Sequence, residues 1–182
     1  ALAGGIAVST GQSAVGAAVG VNLIFNTVTA YAEASTLTAG STIAIGADAE
    51  EVLVSVTLGG AGGEKFALGG SVSANVIMNT VEAKVTGGSD LDASGNIGIS
   101  ADDKTTAVVV AGGFAGSSKA AVGVAASTIY IENDILAVID GSSVTSTAGG
   151  VNLAAGIAAP DAPADPAGIG LGTSGIELPA TS

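Results

Sequence analysis

The chain of 182 residues has no cysteine, no histidine and no tryptophan, and its four basic residues are Lys65, Lys84, Lys104 and Lys119, with no arginine. Each absence removes a class of chemistry. Without cysteine there is neither a disulfide nor a thiolate metal site; without histidine the usual general base, the commonest metal ligand and any Ser-His-Asp arrangement are missing. Sixteen acidic residues against those lysines give a net charge of −12, which repels nucleic acid and anionic membrane surfaces. No nucleic-acid partner is expected. The longest uncharged runs, such as "TTAVVVAGGFAGSS" before Lys119, are too short and too rich in glycine for a membrane-spanning helix, so no membrane insertion is expected. The opening "ALAGGIAVST" lacks the basic and long apolar regions of a signal peptide, which suggests a chain already processed or cut from something larger.

What is present is apolar and small. Apolar residues make up 48% of the chain, only 3% is aromatic, 11% is charged and 29 residues are glycine. High hydrophobicity with little charge argues for a folded chain, and its core must be built from small and β-branched side chains in thin, regular layers.

The organisation is repetitive. "VNLIFNTVTAYA" (21–32) returns as "ANVIMNTVEAKV" (74–85) and "TIYIENDILAVI" (128–139), so that Asn26 recurs 53 residues on as Asn79 and 54 further on as Asn133. Val15-Gly16 matches Leu68-Gly69 and Val122-Gly123; Ala30 matches Ala83 and Ala137; Ile43-Ala44-Ile45 matches Ile97-Gly98-Ile99 and Val151-Asn152-Leu153. A period of this size signals a solenoid. The expected fold is all-β: a β-solenoid over residues 1–157, a right-handed parallel β-helix, in repeats of about 1–56, 57–110 and 111–157. A proline-containing tail, cap or linker follows at 158–182, because Pro160, Pro163, Pro166 and Pro179 cannot donate to a ladder.

Within each copy apolar residues alternate with period two, which reads as strand. One face carries Ile24, Asn26, Val28, Ala30 and Ala32, with the counterparts Ile77, Asn79, Val81, Ala83 and Val85 and then Ile131, Asn133, Ile135, Ala137 and Ile139. It stays apolar while the opposite face drifts, so it points inward and takes the asparagines with it. A buried amide must be hydrogen-bonded, and stacking asparagines on equivalent rungs is one way to do so. In the first half of each copy Val15, Ala17, Val19 and Val21 lie on the other parity, which predicts that the inward face swaps near Asn22 and Asn75 at a bulge or corner. Glycine pairs at 59–60, 62–63, 87–88, 112–113 and 149–150 supply further turns. Several corners in one period suggest two coils of a β-helix per repeat, with three shorter coils as the alternative.

Few residues offer chemistry. Asp48, Glu50 and Glu51, and later Asp102 and Asp103, cluster after the third strand of a copy. Paired carboxylates serve β-helix glycosidases and lyases, but Gly156 stands at the third position and no arginine exists to bind an acidic sugar, so a solvated charged turn is the preferred reading. "GGSDLDASG" (87–95) is faintly like calcium-binding nonapeptides, yet it occurs once, with Thr36-Leu37-Thr38 at the corresponding earlier place; a calcium site at Asp90 and Asp92 stays open. A threonine row for ice binding is broken where Thr27 and Thr29 become Thr80 and Glu82. No catalytic, cofactor-binding or metal residue is assigned, no cofactor is expected, and the chain is not expected to be an enzyme.

"LGGSVSANVIMNTVEAKV" with "ASGNIGISADD" and their fainter copies resemble the repeat regions of very large bacterial β-helical surface adhesins, of the filamentous haemagglutinin-like and leukotoxin-like kinds. The resemblance implies secretion or display at the cell surface, a right-handed β-helix and a rod-like scaffold. The expected function is a structural module of a filament or adhesin stalk. Its partners would be other copies joined head to tail, or flanking repeats of a longer chain, with surface glycans a further class. The apolar "ALAGGIAVST" and the strand-like "AGIGLGTSGIEL" (167–178) are the ends expected to join. The alternative is a carbohydrate-binding or polysaccharide-degrading β-helix protein, for which two tyrosines, three phenylalanines and no tryptophan are a poor supply of sugar platforms.

Overall fold

A computed structural model describes residues 2–158. The expected joining segment 167–178 and all four prolines lie outside them. The described chain is all-β: β1 (Leu2–Val8), β2 (Ser13–Glu33), β3 (Thr36–Ala39), β4 (Ile43–Gly62), β5 (Phe66–Thr86), β6 (Asp90–Ala93), β7 (Ile97–Gly116), β8 (Ala120–Ile139), β9 (Ser143–Ser146) and β10 (Val151–Ile157). Every pairing is parallel, in three sheets ordered β1-β4-β7-β10, β2-β5-β8 and β3-β6-β9. The chain therefore visits the three sheets in turn before returning to the first.

Register sets the size of one circuit. Asn26 pairs with Asn79 and Asn79 with Asn133; Ile43 pairs with Ile97 and Ile97 with Val151. Strands 53 or 54 residues apart in the chain are thus immediate neighbours, and one period makes one circuit. The expectation of two or three coils per period is corrected here. Its error lay in the glycine pairs: Gly59-Gly60 and Gly112-Gly113 lie inside β4 and β7, which are 20 residues long each. Glycine does turn the chain at Gly87 and Gly88, with φ of 68° and 74°, and at Gly141, with φ of 56°. The equivalent corner in the first circuit is made by Ala34 at φ 48°, a left-handed conformation that costs a residue with a Cβ about 1–2 kcal/mol.

The second correction concerns parity. β2 keeps one alternation from Ser13 to Glu33, so the inward face does not swap at Asn22 or Asn75. Ala14, Gly16, Ala18 and Gly20 continue inward from Asn22, Ile24 and Asn26, and the outward residues include Val19, 69% exposed. In β5 the same inward row is Ala67, Gly69, Ser71, Ser73, Asn75 and Ile77. The reason is steric. A Cβ on Gly16 would overlap the carbonyl oxygen of Gly60, one on Gly59 that of Gly70, and one on Gly69 that of Phe114. Two sheets whose backbones nearly touch leave no room for valine between them.

Two kinds of interior result. Where the three sheets surround a common space, Val81, Val85, Leu91, Ile97 and Ile99 form a fully buried aliphatic core. Each such side chain stabilises by about 1.5–3 kcal/mol through burial. We call this part the body. The far halves of β4 and β7, with β1, lie against the near halves of β2, β5 and β8 as a two-layer fin, filled by Ala14, Ala61, Ala67 and glycine backbone.

Candidate functional site

Polar side chains gather inside, at the junction between body and fin. The acidic clusters are not turns: Asp48, Glu50 and Glu51 lie within β4, and Asp102 and Asp103 within β7. Alternation divides them. Asp48 and Glu50 face outward, as does Asp102, which is paired in register with Asp48. Glu50 is bridged at 3.4 Å to its rung neighbour Lys104. With Ala49 and Ala158 these four residues line an open depression that holds no aromatic residue. Glu51 and Asp103 face inward, in line with Leu53 on β4 and with Ile97, Ile99 and Ala101 on β7.

The inward carboxylates are the partners that the asparagines need. Asn26 donates from Nδ2 to Glu51 Oε1 at 2.9 Å. Asn79, 2% exposed, is within donating distance of Glu51 Oε2 at 2.9 Å, Asp103 Oδ1 at 3.0 Å and Thr105 Oγ1 at 3.0 Å. Asn133 donates to Asp103 Oδ2. Thr105 Oγ1 lies 2.9 Å from Asp103 Oδ2 and 3.3 Å from Glu51 Oε2. The direct link between rungs, Asn26 Nδ2 to Asn79 Oδ1, is longer at 3.4 Å. The asparagines are therefore inward and stacked in register as expected, but carboxylates on the facing sheet satisfy them more than an asparagine ladder does. A second cluster lies four residues along the strands toward the fin, past Ile24 and Ile77: Asn22 donates to Asn75 Oδ1 at 2.7 Å and to Ser55 Oγ at 3.0 Å, and Asn75 donates to Ser73 Oγ at 3.1 Å and to the Thr128 carbonyl at 3.1 Å.

Electrostatics at the first cluster is unbalanced. No lysine shares the inward face with Glu51 and Asp103, and the one lysine next to Asp103 in sequence points outward to Glu50. Burial pushes the Glu51 carboxyl above its ordinary range; the hydrogen bond from Asn26 pulls the other way, and the negative charge of Asp103 adds to the rise. Such a group takes up a proton more readily than a free glutamate does. Asp103 is fully buried, so a polymeric substrate cannot reach it. What the arrangement does chemically is to clamp three successive strands of one sheet to the sheet opposite, with charge-assisted hydrogen bonds, which are the stronger kind.

Asp90 and Asp92 lie on β6 with exposed side chains, in register with Thr36 and Thr38 on one side and Ser143 and Thr145 on the other. Among the described residues no group of three or more acidic side chains is placed to hold a metal ion. Sequence reasoning missed the roles of Glu51 and Asp103, although a signal was there: each shares its parity with an apolar inward row. Compared with protein-family models, with curated proteins and with solved structures, the chain finds no match.

Proposed function

We propose that the chain is a structural module, a right-handed β-solenoid of three circuits that serves as a segment of a bacterial filament or adhesin stalk outside the cell or on its surface. The observation that carries this reading is the unbroken parallel register, in which each circuit lies on the next without an offset. A stack of that kind repeats along one axis at about 4.8 Å per circuit and grows by adding equivalent circuits. Right-handed winding follows the strong preference of parallel crossover connections. Among the described residues no strand pairs with the outer edges of β2 and β3 at one end or of β8 and β9 at the other. These rows of backbone donors and acceptors fit either a second copy joined head to tail or the flanking repeats of a longer chain. The resemblance to β-helical adhesin repeats points the same way.

A carbohydrate-binding protein is the second reading, and the outward row of Asp48 and Asp102 beside Lys104 is what favours it. Negative-stain electron microscopy of the purified chain separates the two. Rods or fibres of constant width and variable length support the structural module; uniform compact particles that bind glycans through the Asp48 depression would overturn it.

A further inference from the structure

The fin turns its bulky side chains to the outside. On the outer face of β2, β5 and β8, the fifteen alternate positions from Val15 to Leu23, Leu68 to Val76 and Val122 to Tyr130 carry no charge. The first charge on that face is Glu132, in register with Met78 and Phe25. Val15, Val19 and Leu23 are each more than 60% exposed. In a chain of net charge −12 an uncharged apolar field of this kind marks an interaction surface.

We infer that this face pairs with the same face of a second copy, sheet on sheet. Three features select that occupant. The face is periodic, about 4.8 Å between rungs and roughly 6.6 Å between successive outward residues along a strand, so a second copy presents the same grid and their ridges interdigitate. Like-charge repulsion, which keeps acidic copies apart elsewhere, is absent across it. A lipid surface fits poorly, because the open backbone edges of β2 and β8 would enter hydrocarbon unpaired. The fin's opposite outer face is less suited: it is interrupted by Gly4, Gly60 and Gly112, with the Phe114 ring lying over Gly60 and Leu58 over Gly112, and it is pitted between Leu2, Ile6 and Leu58.

Size makes the pairing depend on length. Five rows on three strands cover about 30 Å by 14 Å, roughly 400 Å². Two such faces bury about 800 Å² together, below the roughly 1,200 Å² of stable protein interfaces. Single three-circuit chains therefore pair weakly, and doubling the number of circuits brings the contact into the stable range. Lateral bundling follows elongation. The contact uses a face that end-to-end joining leaves free, so the two modes can fail separately.

The test combines sedimentation with small-angle X-ray scattering on the full chain from about 10 µM to about 1 mM. Expected is a dimer with the monomer's axial length and a larger cross-section, weakened at least about tenfold by Val19→Glu with Val72→Glu, which sets like charges face to face. Val52→Glu, on the opposite outer face, leaves it unchanged. Val19→Thr with Val72→Thr keeps the β-branched shape should the glutamate pair fail to fold, and weakens the dimer about threefold. The inference is overturned by association only through lengthening, by a dimer that survives both double substitutions or is lost in Val52→Glu, by a chain monomeric throughout, or by face-dependent binding to neutral phosphatidylcholine vesicles in place of self-association.

Discussion

The body and the fin are built from the same strands, yet they solve the packing problem in opposite ways. In the body, Val81, Ile97 and Ile99 are fully buried and the outward positions turn polar, as at Glu82 and Lys84, whose side chains pair at 2.7 Å. In the fin, glycine and alanine lie inside and valine, leucine and phenylalanine lie outside. The hydrophobic effect rewards any apolar area removed from water, but close packing decides which side chains fit. Three sheets around a space need bulk to fill it; two sheets in backbone contact exclude it. The buried Asn75, Asn79, Ser55, Ser73 and Asp103, with the half-buried Glu51, lie where one regime gives way to the other.

Adding carbon should break the fin long before it troubles the body. Gly59→Ala pushes a methyl group into the Gly70 carbonyl, and we expect a loss of about 3 kcal/mol or more because two backbones must separate. The comparable one-carbon change in the body, Ile99→Val, should cost about 1 kcal/mol. Urea unfolding of both variants measures the difference, and equal losses would erase the distinction between the two interiors.

At the junction, Asn79→Asp places a third carboxylate beside Glu51 and Asp103, and about 3 kcal/mol of destabilisation is expected. Asn79→Leu removes donors without adding charge and should cost less. Thermal melting at neutral pH ranks them; the reverse order would mean that the network is not dry and closed. At the corner of the body, Ala34→Gly relieves the positive φ that Gly87, Gly88 and Gly141 adopt freely in later circuits, and a gain of up to about 1 kcal/mol should appear in the same melts.

A smaller effect comes from protons. Since the Glu51 pKa is raised on folding, its contribution to stability is fully present below the unfolded carboxylate value of about 4.3 and is lost as pH rises through the folded value. Between those limits the melting temperature of the native chain should fall more steeply with pH than that of Glu51→Gln. Parallel curves would show that Glu51 titrates as a free side chain.

Much of this was legible in the sequence. The 53- and 54-residue spacings of Asn26, Asn79 and Asn133 are the register of neighbouring strands, and alternation placed Ile24 to Ala32 and its counterparts inward. The fin was misread because a rule that places valine inside and glycine in turns holds only where the interior has volume. Nothing local at Gly59 or Gly69 says that another backbone will pass within contact of it; that fact belongs to residues far along the chain, Gly70 and Phe114. Glu51 and Asp103 were readable by parity and were set aside because clustered charge ordinarily means a solvated face.

The central claim is that one period makes one circuit and that β2 keeps one parity along its length. The absence of native cysteine allows a direct test by mild oxidation of engineered pairs, followed by mass spectrometry. Val19 and Val72 are register partners on adjacent rungs, outward and exposed, and Ala126 is one rung further. Adjacent rungs bring Cα atoms to about 4.8 Å, within disulfide reach, whereas two rungs set them at roughly 9.6 Å, beyond it. The account predicts that Val19→Cys with Val72→Cys links within one molecule and that Val19→Cys with Ala126→Cys does not. A chain that leaves 19 and 72 unlinked, or that links 19 to 126 within one molecule, would contradict it.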